Sequence, residues 1–148
     1  MNLKIVNASY EDKEFILKAN EEVNIASGLN DSILKKNIDI DIFSSKNKCN
    51  CLIAKMMDIN VGMCIYSRIY WANLGEGIYL SQIYVSPEYR KLGIFKEFIK
   101  EIRKKETNRA FITCLVGDEN MAMQKSLDKT GWKTTELKTY YFKETEFK

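Results

Sequence analysis

The stretch VSPEYRKLGIFKEF, residues 85–98, limits the fold more than any other part of the chain. It leaves an apolar, β-branched run, meets the chain's one proline at Pro87, passes Gly93 and turns at once into a helical pattern. Proline cannot donate to a strand ladder, so the strand has to end there. Phe95, Phe98, Ile99 and Ile102 then recur at i, i+3, i+4 and i+7, which lays one face of a helix on a sheet. The first N–H groups of that helix have no intrahelical acceptor, and the helix dipole favours negative charge beside them. With Arg90 and Lys91 adding positive charge and Gly93 letting a ligand approach the backbone, the corner suits a phosphate. Taken singly, Gly93 reads equally well as an eased turn and Arg90 as a surface charge.

The rest of the chain supplies the sheet. Residues 3–6 read as a strand, and Ser9 with Asp12 forms a reciprocal cap before a helix whose Phe15, Ile16, Ala19 and Val23 share a face. SGLNDS, residues 27–32, breaks it. A second helix begins near Asp31 with Leu34, Ile38 and Ile42 four apart, although Ile38, Ile40 and Ile42 also alternate with aspartates as in a strand. Residues 49–57 and 61–70 flank DIN as an antiparallel hairpin, and Gly75 and Gly77 lead into a third strand, residues 78–85. Residues 110–116 read as a buried strand, and Asp118 as the cap of a short helix through Met123 and Leu127 that Gly131 ends, with Trp132 packing back on Leu127. Two closing strands are expected at residues 133–137 and 139–143.

Composition bounds the rest. A chain of 148 residues, 45% hydrophobic and without repeats or a linker, is expected to fold as one domain over residues 1–148. Its net charge of +3 comes from 23 basic and 20 acidic residues spread along the chain, so neither a nucleic-acid arm nor a membrane patch is expected. No window nears the roughly 18 apolar residues of a membrane span, and the start lacks a basic-then-apolar leader, which points to the cytoplasm. Cys49, Cys51, Cys64 and Cys114 sit in apolar runs with neither zinc-ribbon nor redox-pair spacing, so they read as buried hydrophobes and no metal is expected. Histidine is absent, which removes the commonest general base and the usual triad partner.

IYVSPEYRKLGIF, preceded by an antiparallel meander and followed by DENMAMQKSLDKTGW, resembles the GNAT superfamily of N-acyltransferases along nearly the whole chain. The phosphate signature of that family is Arg or Gln, two residues, Gly, one residue, then Gly or Ala. Here it reads Arg90, Gly93 and Phe95, so the last position departs from the pattern, and Phe95 is expected to point into the core beside Phe98. A later family block matches Asn120, Gly131 and Trp132.

The resemblance implies an α+β fold: a mixed, mostly antiparallel sheet of six to seven strands, about four helices and a splayed central strand pair. It implies acetyl-CoA as co-substrate, with main-chain partners at Ile83, Tyr84 and Val85, the arginine of Arg90, pyrophosphate on the amides of Lys91, Leu92, Gly93, Ile94 and Phe95, and Asn120 reaching the pantetheine. The positions of the family's usual base hold Tyr79 and Ser81, expected on one strand face, and a position that often carries an acidic tyrosine holds Leu127. The expected partner is a small-molecule or peptide amine, with homodimer formation open. Its pocket is expected from the first two helices, residues 27–31 and the hairpin around Tyr70 and Trp71, where Glu21, Glu22 and Asp31 would suit a cation. Two other classes stay open: a non-catalytic acyl-CoA-binding module and a nucleotide- or nucleic-acid-binding domain.

Overall fold

The computed structural model describes residues 2–29 and 32–136. The chain divides into two compact units, residues 1–115 and 116–148. The first holds a five-stranded sheet in sequence order: β1 (Leu3–Asn7), β2 (Asn50–Met56), β3 (Ile59–Trp71), β4 (Gly75–Val85) and β5 (Phe111–Cys114). The first four strands are antiparallel to their neighbours, and β5 runs parallel to β4.

Three helices flank this sheet in sequence: α1 (Lys13–Ala26), α2 (Ile33–Asp41) and α3 (Ile94–Lys105). On one face, Ile16 and Ala19 of α1 and Ile38 of α2 pack with Cys51, Ile53, Met63 and Ile65, which alternate on β2 and β3. The residues between them face the other way, where Ile94, Phe98 and Ile102 of α3 are buried. Gly62 lets that helix come in close. A Cβ at Gly62 would meet the Tyr84 carbonyl oxygen at 3.1 Å and Ile94 Cγ2 at 3.4 Å. The absent side chain of β3 thus seats the first turn of α3 against the end of β4.

Asp12 ties the start of α1 to the β2–β3 hairpin. Its carboxylate accepts from Ser9 N–H at 2.9 Å, Lys55 Nζ at 3.0 Å and Asn60 Nδ2 at 3.0 Å. Burial alone would raise its pKa, but these donors together hold it below the usual carboxylate value. The reciprocal Ser9–Asp12 cap read from sequence is present, although it opens a 3₁₀ turn that leads into α1.

The second unit contains α4 (Met121–Lys129). Its cap is Asn120, whose side-chain oxygen accepts from Met123 N–H at 3.1 Å, and not Asp118 as the sequence suggested. Asn fits the reason: its side chain reaches the N3 amide directly. Gly131, at φ 84°, ends α4, and Trp132 N–H returns to the Leu127 carbonyl at 3.2 Å in a Schellman arrangement.

Three further expectations need correction, and one ambiguity is resolved. Among the described residues the sheet has five strands rather than six to seven, because residues 133–136 form no strand; the last expected strand, at 139–143, lies outside the described residues. The helix reading of Leu34, Ile38 and Ile42 holds over the alternating strand, with Ile38 2% exposed, Ile40 60% exposed and Ile42 at the C-cap. The β2–β3 turn falls one step before DIN, at Met57 and Asp58, whose φ values of 49° and 64° match the primed turns that follow strand twist. The buried residue at the start of α3 is Ile94, 2% exposed, whereas Phe95 is half-buried. The helix starts one residue further round than the i, i+3 count from Phe95 assumed, so Ile94, Phe98 and Ile102 form the inner stripe.

Candidate active site

The anion corner is built by backbone geometry. After β4, Pro87–Tyr89 forms a 3₁₀ turn, and Lys91 and Gly93 both take left-handed backbone, at φ 64° and 78°. Gly93 is the N-cap of α3 without a side-chain cap, and Glu97 N–H is the amide that closes back on its carbonyl at 3.2 Å. The amides of Ile94 and Lys96 therefore precede the helix's own hydrogen bonding. A Cβ at Gly93 would find nothing within 4 Å, so the space above these amides is open. Lys91 and Leu92 are exposed beside it, and Arg90 Nε donates to the Val85 carbonyl at 3.1 Å, which folds the corner back on the strand end. This shape suits a phosphate-bearing anion: amides at a helix N-terminus, two cations and no side chain in the way.

The strand leading into the corner is open along one edge. β4 pairs with β5 from Gly77–Phe111 to Leu80–Cys114, and no further, while its pairing with β3 runs on to Val85–Gly62. Among the described residues, Ser81 to Val85, including Ile83 and Tyr84, therefore have no partner strand on the β5 side, where β5 ends at Cys114. An extended, amide-bearing ligand can complete such an edge as an added strand would.

The other side of β4 lines a cleft. Ile65 pairs with Gln82 but Tyr66 pairs with Leu80, so Ser81 is the extra residue of a β-bulge. A bulge breaks alternation, and this one brings Gln82 onto the face covered by α1. Gln82 Nε2 donates to Asn24 Oδ1 at 3.1 Å, and its Oε1 accepts from Asn20 Nδ2 at 2.7 Å. Asn20, Asn24, Ser32, Ser81 and Gln82 make the polar wall of a cleft of about 280 Å³. Ile33, Leu34, Cys49 and Ile65 make its apolar wall.

Ser81 lines the cleft and its hydroxyl donates to the Ile65 carbonyl at 3.1 Å, whereas Tyr79, two residues before it, does not line the cleft and pairs with Ser67 and Thr113. Burial pushes the Tyr79 phenol up, with the neighbouring Cys114 adding to it, so it stays protonated at neutral pH. Burial likewise raises Cys49, Cys51 and Cys114, and takes Cys64 to about 12, so none of the four thiols is a thiolate nucleophile near pH 7. Asn120 belongs to the second unit, as the cap described above. Tyr70, Trp71, Glu21 and Glu22 do not line the cleft; Trp71 instead stacks on Phe111, with centroids 4.6 Å apart. The residues that sequence reasoning missed are Asn20, Asn24 and Gln82. Two asparagines four apart on the inner face of a helix were the available signal, since a buried amide needs a partner.

Residues 16–132 match the Acetyltransferase (GNAT) family, and the chain belongs to that family. A 70-residue segment is 36% identical to thialysine N-epsilon-acetyltransferase of Sus scrofa, covering 42% of this chain and 41% of that protein, so the match spans well under half of the relative's length. Among solved structures, a possible acetyltransferase from Clostridium difficile 630 superposes with a TM-score of 0.77 at 21% identity, over 95% of this chain and 97% of the other. The aminoglycoside N-acetyltransferase AAC(6')-Iy in complex with CoA gives 0.72 at 17% identity, over 97% and 95%. At these identities the structures establish a common fold. Among the described residues no helix is long and apolar enough to cross a membrane.

Proposed function

We propose that this chain is an acetyl-CoA-dependent N-acetyltransferase that moves the acetyl group to a primary amine by direct attack on the thioester. The observation that carries the reading is the double use of β4. Among the described residues its edge past Leu80 has no strand partner and ends at the anion corner, while Ser81 and Gln82 on the same strand line a separate cleft. A donor laid along the edge and an acceptor in the cleft meet across one strand. Bringing two reactants together in this way is worth several orders of magnitude in rate.

In this reading the amides from Lys91 to Phe95 hold the diphosphate with Arg90 beside it, and the main chain at Ile83, Tyr84 and Val85 holds the pantetheine arm. The amine nitrogen attacks the thioester carbonyl; the C–N bond forms, the C–S bond breaks, and the thiolate departs to take up a proton from solvent. The ammonium proton leaves to water, which Ser81 and Tyr79 can hold, because the cleft offers no carboxylate or imidazole among the described residues. A thiol intermediate is disfavoured by the raised thiols, which supports direct attack.

The test is release of free CoA thiol on adding amines to protein and acetyl-CoA. Release that depends on the amine supports transfer. Tight acetyl-CoA binding with no amine-dependent release from a broad amine panel would instead make the chain an acyl-CoA-binding module.

A further inference from the structure

We infer that the acceptor is an α-amino group flanked by an amide, as at a peptide N-terminus or in an amino-acid amide, held against a closed ring of three neutral carboxamides. The inference rests on the acetyl-transfer reading of the cleft and names its acceptor class.

The ring is complete. Asn20 Nδ2 donates to Gln82 Oε1 at 2.7 Å, Gln82 Nε2 donates to Asn24 Oδ1 at 3.1 Å, and Asn24 Nδ2 donates back to Asn20 Oδ1 at 3.4 Å. Ser32 Oγ adds a 2.5 Å bond to the same Asn20 oxygen. All three line the cleft, but Asn20 and Asn24 are 4% and 8% exposed and committed to partners, and the half-buried Gln82 is the least buried of the three. Each carboxamide has two N–H groups and two lone pairs. Gln82 spends one of each on the ring and keeps one of each for a ligand. A group that offers one donor and one acceptor side by side, such as a peptide unit, matches what is left.

The ring is also uncharged, and this selects the amine. Among the described residues, the titratable groups around Gln82 are the Cys49 thiol in the cleft wall, Tyr84 and Tyr79 on its own strand and Glu22 on α1, which does not line the cleft; Lys35 and Lys36 of α2 are exposed. Burial raises the Tyr84 phenol, so it stays protonated at neutral pH. No carboxylate lines the cleft among the described residues, so a cationic amine finds neither an ion-pair partner nor a base. An acceptor served by these residues alone sheds its proton to water before it reacts. An α-amine titrates near 7.7–8.0 and an alkyl amine near 10.4, so at pH 7.5 the neutral fraction is roughly two hundredfold larger for the α-amine. The higher intrinsic reactivity of the more basic amine offsets part of this, leaving an expected preference of about tenfold or more.

Lysinamide carries both amines in one molecule and decides between them. It is incubated with protein and acetyl-CoA at pH 7.5, and tandem mass spectrometry reads which nitrogen is acetylated. The expected result is α-acetyl product in about tenfold excess or more. Equal amounts or an excess of ε-product overturns the inference, as does failure of lysinamide when alkyl diamines release CoA. No release with any amine, despite acetyl-CoA binding, overturns the transfer reading itself. Gln82→Glu gives the cleft a carboxylate: the ε-product share should rise, and an acidic inflection should appear in kcat/KM. Glu22→Gln should change neither, and an acidic inflection in the native protein that this variant removes would make Glu22 the base and refute the inference. If Gln82→Glu fails to fold, the lysinamide ratio of the native protein still decides.

Discussion

Gly93→Ala separates backbone strain from ligand contact, because the chain contains a matched control. Gly93 has φ 78° and Gly75 has φ 89°, and at both a new Cβ meets nothing within 4 Å. Alanine at either position is therefore strained but not crowded. Left-handed backbone costs a residue with a Cβ about 1–2 kcal/mol, and the stiffer unfolded chain offsets about 0.4–1 kcal/mol of it. Each variant should lose around 1 kcal/mol, a fall of about 2–4 °C in Tm for a chain of this size. They part company in donor binding. The methyl group of Gly93→Ala stands in the open space over the amides of α3, where a diphosphate has to approach, whereas Gly75 sits in the β3–β4 hairpin at the far end of β4. Calorimetry with acetyl-CoA should show at least a tenfold weaker Kd for Gly93→Ala, about 1.4 kcal/mol, and no change for Gly75→Ala. Gly93→Trp should bind no measurable donor. Equal stability losses with unchanged affinity in both alanine variants would refute the assignment of the anion corner.

Ile94→Ala should cost about 2–5 kcal/mol in chemical denaturation, as a large-to-small change in the core, and Phe95→Ala less than half as much. Gly62→Val should push α3 away from β4, with a stability loss of about 1–3 kcal/mol and weaker acetyl-CoA binding measured on the same sample. Asp12 has a depressed folded pKa, so its contribution is present above the unfolded value near 3.8 and is lost as pH falls through the lower folded value. Asp12→Asn should therefore flatten the rise of unfolding free energy with pH below the unfolded value of 3.8, besides lowering stability at pH 7. Tyr79→Phe should slow turnover by about tenfold or less, because a phenol held protonated can only position water.

Sequence patterns read the scaffold well where one physical signal dominates. The 3.6-residue stripe of α3, the proline stop after β4 and the glycine end of α4 each appear within a residue or two of their expected places. The cleft was less legible, for a local reason. Alternation along β4 accounts for Tyr79 and Ser81, and the one inserted residue at the bulge adds Gln82 to the face that α1 covers, which alternation alone does not foresee. A bulge leaves no strong mark in composition, since Ser81 could equally belong to a regular strand. The asparagine pair on α1 was visible but had no partner until β4 supplied one, 58 and 62 residues away. Phe95 misled because helical periodicity fixes the spacing of a face but not its phase; the left-handed Gly93 set the phase and gave the core position to Ile94.

The most direct test follows the acetyl group itself. Acetyl-CoA labelled in the acetyl carbonyl is incubated with the protein and a primary-amine acceptor, and the products are separated and identified by mass spectrometry. Direct transfer predicts labelled amide on the acceptor in equal amount to free CoA, with no labelled protein at any time. Label that stays on the thioester, appears only as free acetate, or accumulates on a cysteine of the chain would contradict it.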